Sequence, residues 1–187
     1  MADVRPFSAL LLAAGRSRRM GSDKALLTTA DGRTWWEQQC AVLTQAGAAE
    51  IFISARPEQT WVPATMTVVR DAEEGGGPLA GIVAALERAA HGHVAVLAVD
   101  LPAMRAEWFA RLLAQCAPGV GAVGKNGNNF EPLAAIYPRE ILPAARGALA
   151  RGEGSLQRLI AAEAARFAVR EIGAAEAWWF ENRNERV

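Results

Sequence analysis

The sequence predicts an α/β domain of three layers, with helices on both faces of a mostly parallel, Rossmann-like sheet. Apolar runs of strand length alternate along the chain with segments of helix length. Two of these runs, at 8–13 and 94–99, are almost entirely apolar, as in strands that are buried on both faces. No repeat or linker divides the 187 residues. We therefore expect a single domain spanning 1–187.

The remaining elements follow from periodicity and from glycine and proline positions. Strands are predicted at 8–13, 50–54, 66–69, 94–99, 120–123, 133–137 and near 167–171. Helices are predicted at 34–46, 79–90, 106–115, about 139–150 and 155–164. The loop 124–129, between two of the strands, is rich in glycine and asparagine and predicts a small hairpin over the site. Ligands of such sheets bind beyond the carboxyl ends of the strands, near a change in strand order.

The composition excludes several classes of protein. Twenty Lys and Arg residues balance twenty Asp and Glu residues, so the chain has no bulk basic field to hold nucleic acid or an anionic membrane surface. The longest apolar run, around residues 9–14, is far too short to span a bilayer. Cys40 and Cys116 are too few for a metal cage, and each lies in an apolar stretch typical of a buried thiol. We expect a soluble cytoplasmic protein.

The segment that follows the first predicted strand carries the main chemical signal. Small residues at Ala13, Ala14 and Gly15 let a ligand approach the backbone, whose amides can bind phosphate or the edge of a base. Arg19 and Lys24 add a guanidinium fork and a point charge suited to a triphosphate. The spacing matches neither a P-loop nor a dinucleotide-binding fingerprint. The alternative is a glycine turn flanked by solvated cationic side chains.

Two carboxylates follow other predicted strands. Asp100 comes directly after the strand 94–99, where a carboxylate can hold Mg²⁺ together with phosphate oxygens and water. The alternative is an aspartate that caps the next helix, but Pro102 lies between them. Asp71 follows the strand 66–69 and either accepts a hydrogen bond from a ribose or base or caps a turn.

Three further sequence features carry weaker functional signals. The loop at 74–81 places three glycines before Pro78 at a predicted helix start, which gives an adaptable backbone over a ligand. His91 and His93 are too close together for a zinc pattern and are interpreted as solvated residues at a helix end. The pairs Trp35–Trp36 and Trp178–Trp179 indicate core packing or a partner surface.

The order of these motifs resembles the molybdopterin-dinucleotide nucleotidyltransferases, and most of all the molybdenum cofactor guanylyltransferases. The segment at 12–24, Leu-Ala-Ala-Gly-x-Ser-x-Arg-Met-Gly-x-Asp-Lys, is similar to the opening motif of this family. It is followed in the same order by Gly-Pro-Leu-Ala-Gly-Ile at 77–82, Asp-Leu-Pro at 100–102, Glu-Pro-Leu-Ala-Ala-Ile-Tyr at 131–137 and Phe-x-Asn-x-Asn at 180–184. The likeness covers essentially the whole chain and implies a three-layer nucleotidyltransferase domain.

The resemblance implies a reaction and a set of residues. The terminal phosphate of molybdopterin attacks the α-phosphorus of GTP, and pyrophosphate leaves. Arg19, Lys24 and Asp100 are the implied catalytic residues, with Asp100 ligating Mg²⁺, the implied cofactor. The implied nucleotide-binding residues are Leu12, Ala13, Ala14, Gly15, Lys24, Asp71, Gly77, Pro78, Leu79, Gly81 and Asp100. Asn182 and Asn184 either bind the acceptor or cap a terminal turn. Arg16 and Arg18 either are solvated or hold the acceptor's phosphate.

The sequence departs from the guanylyltransferase pattern at several positions. Ala14 stands where these enzymes usually have a second glycine, and Ala-Ala-Gly is similar to the cytidylyltransferase relatives. Arg56 replaces an expected asparagine, and Glu131 occupies a place often taken by histidine. A cytidylyltransferase of the same fold is therefore one alternative, and a non-catalytic nucleotide-binding protein is another. The implied partners are GTP, molybdopterin and a recipient molybdoenzyme or chaperone, with the chain a monomer or weak homo-oligomer.

Overall fold

The computed structural model describes residues 6–15, 23–70 and 76–182. Their strands are β1 (Ser8–Leu12), β2 (Glu50–Ser54), β3 (Thr67–Val69), β4 (His93–Ala98), β5 (Gly121–Asn126), β6 (Asn129–Phe130), β7 (Ala134–Pro138) and β8 (Phe167–Glu171). Their α-helices are α1 (Trp35–Gln45), α2 (Gly77–Arg88), α3 (Ala106–Leu113), α4 (Leu142–Ala150) and α5 (Leu156–Ala162). Short 3₁₀ turns lie at Lys24–Leu26, Arg139–Ile141, Ala164–Arg166 and Ala177–Phe180.

The strands form one mixed sheet in the order β3-β2-β1-β4-β7-β5-β6, with β8 paired to β5. Strands β1 to β4 are mutually parallel, β7 runs antiparallel to both β4 and β5, and β8 is parallel to β5. The predicted mostly parallel α/β fold is confirmed. The antiparallel strand β7 separates the parallel set β3-β2-β1-β4 from the rest of the sheet.

Alternating side chains of β1 enter two separate cores, which creates the three layers. Ala9 and Leu11 pack into a cluster with residues of α1 and α3, including Trp35 and Trp108. Leu10 packs on the opposite face with residues of α2, α4 and α5. The strand is buried on both faces because each face is covered by helices, as its nearly continuous apolar sequence predicts.

The predicted hairpin is present in part: β5 and β7 pair antiparallel, with Ala122 opposite Ile136, but its turn is built differently. Strands β5 and β6 pair through Lys125↔Phe130 and Asn126↔Asn129, and a two-residue turn begins at Gly127, whose φ is +58°. Asn129 is therefore a strand residue rather than a turn residue. Strand β7, predicted as one arm of a small hairpin over the site, instead lies inside the sheet between β4 and β5. The sequence pattern missed the pairing with β4 because nothing local to β7 encodes that neighbour.

The histidine interpretation was also wrong for one residue. His93 begins β4 and is 8% exposed. Its Nε2 lies 3.1 Å from the Ala117 carbonyl oxygen and 3.0 Å from that of Val120. Buried polar groups need such partners, so His93 ties β4 to the turn that precedes β5 rather than facing solvent.

Candidate nucleotide site

The carboxyl ends of β1 and β4 lie side by side. The two strands are parallel neighbours in a register that pairs Leu12 with Ala98. The Val99 N–H continues the ladder to the Leu12 carbonyl at 3.0 Å. The segment after β1 and the turn that carries Asp100 therefore emerge at the same edge of the sheet, where open α/β sheets bind their ligands.

Lys24, Asp100 and Asn182 come together at this edge. The Lys24 Nζ lies 3.6 Å from the Asp100 Oδ2, and the Asn182 Nδ2 donates to the same oxygen at 2.8 Å. The side chains of Lys24 and Asp100 are 22% and 23% exposed, so the pair is partly shielded yet open to a ligand. Three distant segments thus supply a cation, an anion and an amide at one point, and the sequence had singled out all three residues.

Each segment of this cluster is held by buried or capping contacts. Asp23 caps the turn that carries Lys24 by accepting from the Ala25 N–H at 3.1 Å. The buried side chain of Gln39, from α1, donates to the Leu101 carbonyl at 2.5 Å and fixes the turn that carries Asp100. Phe180, two residues before Asn182, packs edge-on against Trp108 with ring centroids 4.8 Å apart.

The donor set fits a hard divalent cation. Asp100 Oδ2 is engaged by Lys24 and Asn182, whereas Oδ1 has no partner among residues 6–15, 23–70 and 76–182. Those ranges also contain no group of three or more His, Cys, Asp or Glu side chains that could cage a metal. A carboxylate oxygen that has no partner in the described part of the chain suits Mg²⁺, which takes one or two protein carboxylates and completes its shell with phosphate oxygens and water.

The segment after β1 presents backbone N–H groups. The Ala13 N–H donates to the Ser54 carbonyl at 3.0 Å. Within the described part of the chain, the N–H groups of Ala14 and Gly15 have no acceptor. Among the described residues, an added Cβ at Gly15 would meet no atom within 4 Å, which leaves room for a ligand on that side. Amides that have no acceptor among the described residues are suited to the acceptor atoms of a nucleotide.

Sequence reasoning missed most of the residues that hold this segment. The Gln59 Nε2 donates to the Ala13 carbonyl at 2.9 Å and to the Asp23 Oδ2 at 2.6 Å. The Trp61 Nε1 donates to that same carboxylate oxygen at 2.7 Å. Arg56 was noted only as a departure from the family pattern. All three supporting side chains follow β2, and the polar residues scattered through 56–61 were the only available signal.

The start of α2 packs against the same edge. Gly77 has a φ of +60°, and Pro78 lies in the first turn, so the helix begins two residues before the predicted position. The Leu79 side chain is fully buried in the core shared with α4 and cannot itself touch a nucleotide. A Cβ on Gly81 would lie 2.9 Å from the Leu12 Cδ2 and 3.0 Å from the Ser54 Oγ. Gly81 therefore lets α2 approach β1 and β2 closely.

Several predicted site residues lie outside the described residues. These are Arg19 and Asp71, both assigned to the nucleotide, and Asn184, assigned to the acceptor. Arg16 and Arg18 lie outside them as well. Their roles remain predictions.

Other candidates for chemistry lie apart from the cluster. Burial raises the pKa of Cys40 to about 11 and that of Cys116 to about 12, so neither thiol is a ready nucleophile at neutral pH. A groove of about 810 Å³ runs between α1 and the segment 102–107, but Lys24, Asp100 and Asn182 do not line it. Among the described residues, no helix is both long and apolar enough to cross a membrane.

Comparison with known proteins agrees with this geometry. Residues 9–167 match the family described as the MobA-like NTP transferase domain. The chain is 46% identical over 164 residues to the probable molybdenum cofactor guanylyltransferase of Opitutus terrae, covering 86% of this chain and 81% of that one. It is 34% identical over 161 residues to the molybdenum cofactor guanylyltransferase of Pseudomonas putida, covering 85% and 84%.

A solved structure shares the fold. The molybdopterin-guanine dinucleotide biosynthesis protein A of Archaeoglobus fulgidus superimposes with a TM-score of 0.74 at 23% identity, covering 95% of this chain and 92% of that one. The family match at residues 9–167 runs from β1 to the start of β8 and includes both Lys24 and Asp100.

Proposed function

The chain belongs to the MobA-like NTP transferase family of nucleotidyltransferases, and on that premise we propose that it transfers GMP from GTP to molybdopterin. A phosphate oxygen of molybdopterin attacks the α-phosphorus of GTP. The new P–O bond forms as the bond to the β-phosphate oxygen breaks, and pyrophosphate leaves. The products are molybdopterin guanine dinucleotide and pyrophosphate.

The observation that carries this proposal is the meeting of Lys24, Asp100 and Asn182 at the edge of the sheet from which the segment after β1 also emerges. Phosphoryl-type transfer requires positioned reactants and stabilised charge more than a protein nucleophile. Lys24 offers a positive charge to the phosphate oxygens as negative charge develops during the transfer. The N–H groups of Ala14 and Gly15 offer hydrogen bonds to the base or ribose.

Asp100 is the proposed ligand of Mg²⁺. When bound there, the ion would neutralise phosphate charge and favour departure of pyrophosphate. The protein's own part is to hold the carboxylate in place: Asn182 and Lys24 engage Oδ2, and Oδ1, which has no partner among the described residues, is offered to the cation. Asn182 itself donates to this carboxylate, which supports a role for this predicted acceptor-binding residue close to the reacting phosphates.

A pyrophosphate-release assay tests the proposal. Purified protein, Mg²⁺ and molybdopterin are incubated in parallel with GTP, CTP, ATP and UTP, and the dinucleotide product is identified by mass. We expect release with GTP, and loss of that release when Mg²⁺ is chelated with EDTA and its return when Mg²⁺ is restored in excess. Nucleotide binding without release for all four triphosphates would contradict the transfer reaction.

A cytidylyltransferase is the second candidate, and Ala14 favours it. The residue lies in the segment whose amides face the proposed nucleotide, where the resemblance associates Ala-Ala-Gly with cytidylyltransferases. Release with CTP alone would retain the mechanism and change the base. Calorimetric affinities for GTP and CTP, measured without acceptor, give an independent comparison. We further propose that the product passes to a molybdoenzyme or its chaperone.

A further inference from the structure

Three consecutive backbone carbonyls after β1 are each bound by a side chain from the segment after β2. Gln59 donates to the Ala13 carbonyl at 2.9 Å. The Nη1 of Arg56 donates to both the Ala14 and the Gly15 carbonyls, the second at 2.8 Å. We refer to Arg56 and Gln59 together as the carbonyl clamp.

The carbonyl clamp sets the direction of the neighbouring N–H groups. In a planar trans peptide, the C=O of one residue and the N–H of the next point in opposite directions, and the described residues contain no cis peptide bond. With the Ala13 and Ala14 carbonyls turned toward Arg56 and Gln59, the N–H groups of Ala14 and Gly15 face away from them. These are the two amides that have no acceptor within the described part of the chain.

The carbonyl clamp also removes unfavourable charge from the site. Unpaired carbonyl oxygens beside the loop would repel the electron-rich oxygens of a nucleotide, and the guanidinium neutralises two of them. Two further contacts hold Arg56 in place. Its side chain is only 27% exposed, and its Nε lies 3.7 Å from the Glu58 Oε2. Arg56 N–H also donates to the Gln59 Oε1 at 2.6 Å, which joins the two clamp residues to each other.

We propose that Arg56 and Gln59 are positioning residues that orient the Ala14 and Gly15 amides and thereby determine the affinity of the site for a nucleoside triphosphate. The proposal rests on the proposed function insofar as the ligand is a nucleotide. It gives Arg56, which replaces the expected asparagine, a role through the backbone rather than through direct contact with phosphate.

Two substitutions of Arg56 distinguish these roles. Arg56→Met removes the fork but retains the aliphatic stem, and Arg56→Lys retains the charge without the planar fork. Arg33→Met is the matched control, because Arg33 makes a charge-assisted pair with Asp31 on an exposed loop. Hydrogen exchange of the backbone at 13–15 is followed in nucleotide-free protein, and GTP and CTP affinities are measured by calorimetry.

We expect Arg56→Met to accelerate exchange of the Ala13 N–H, which is hydrogen-bonded to Ser54, and to weaken triphosphate binding about tenfold, the scale of a lost charge-assisted hydrogen bond. The turnover number at saturating nucleotide should change little, because the clamp acts before chemistry. Arg56→Lys should recover less than half of the lost affinity on a logarithmic scale, and Arg33→Met should match the wild type in both measurements.

Full recovery of affinity in Arg56→Lys would overturn the proposal in favour of direct charge attraction. Unchanged exchange in Arg56→Met would overturn it as well. The exchange measurement needs no substrate, so it decides the positioning role even if the wild type transfers no nucleotide to molybdopterin. Failure of the pyrophosphate assay with a functioning clamp would therefore count against the proposed reaction alone.

Discussion

The ends of β1 and β4 lie next to each other but offer a ligand different chemistry. After β1, the chain presents backbone N–H groups, and its carbonyls are bound by Arg56 and Gln59. After β4, it presents side-chain charge, with the Asp100 carboxylate between Lys24 and Asn182. The first end is built from main chain that is held by the half-buried Arg56 and the buried Gln59 side chains. The second is built from side chains that are carried by main-chain turns.

Under the proposed function, this difference indicates that the β1 end and the β4 end have different roles. Backbone amides bind a base or ribose through shape and hydrogen bonds, which change little as the reaction proceeds. Charged side chains act on the phosphates, where charge develops in the transition state. Substitutions at the β4 end should therefore lower turnover, and those at the β1 end should lower nucleotide affinity.

The largest effect should come from Asp100→Asn. The amide has nearly the same shape and can still accept from Asn182, but it removes the negative charge that a divalent cation requires. We expect turnover to fall about 100-fold or more, the scale seen when a group that stabilises transition-state charge is removed. Steady-state pyrophosphate release at several Mg²⁺ concentrations measures this change.

Two controls accompany Asp100→Asn. The thermal unfolding midpoint shows whether the turn after β4 is retained, and nucleotide affinity in the absence of metal should equal that of the wild type. Turnover within a few-fold of the wild type, with the same dependence on Mg²⁺, would mean that the metal binds elsewhere. It would contradict the assignment of turnover to the β4 end.

Lys24→Ala should have the next largest effect. It removes the cation 3.6 Å from Asp100 while the cap made by Asp23 remains. We expect turnover to fall by at least about tenfold with a smaller change in nucleotide affinity. Lys24→Arg should restore part of the rate, because the charge returns with a different shape. The measurement is turnover at saturating GTP, and Arg33→Ala serves as the control for loss of a surface cation. Equal activity in Lys24→Ala and wild type would refute this role.

The sequence predicted the β4 end better than the β1 end. Asp100 follows an apolar strand and Lys24 follows a glycine-rich segment, and both signals are local. The meeting of these residues with Asn182 follows from the resemblance and from strand order, which local patterns do not determine. The β1 end required Gln59, whose two hydrogen bonds to Ala13 and Asp23 cross 46 and 36 residues. No spacing rule in a single sequence identifies such a partner.

The fold shows the same limit. Periodicity located all the main strands and helices because each pattern reflects its own burial. Strand β7 and its antiparallel pairing with β5 were predicted, but its place beside β4 was not, since that pairing depends on the folded sheet. His93 was misread for a related reason: its carbonyl partners at Ala117 and Val120 become neighbours only in three dimensions.

The smallest effect is expected from Gly81→Ala, which tests how closely α2 packs against the end of β1. Gly147→Ala is the matched control, because both glycines lie inside helices. Alanine in a helix interior is favoured over glycine by about 1 kcal/mol. At Gly147 the added Cβ would lie 3.2 Å from the mobile end of the Arg151 side chain, so that gain should appear as a higher unfolding temperature.

At Gly81 the Cβ would meet the Leu12 Cδ2 at 2.9 Å and the buried Ser54 Oγ at 3.0 Å. Overpacking of this kind costs about 1–3 kcal/mol, which should cancel or exceed the helical gain. We therefore expect Gly81→Ala to be no more stable than the wild type and to bind nucleotide slightly more weakly, with turnover unchanged. Equal stabilisation by both substitutions would mean that α2 can withdraw from Leu12 without cost, and that the β1 end depends on the carbonyl clamp rather than on the helix behind it.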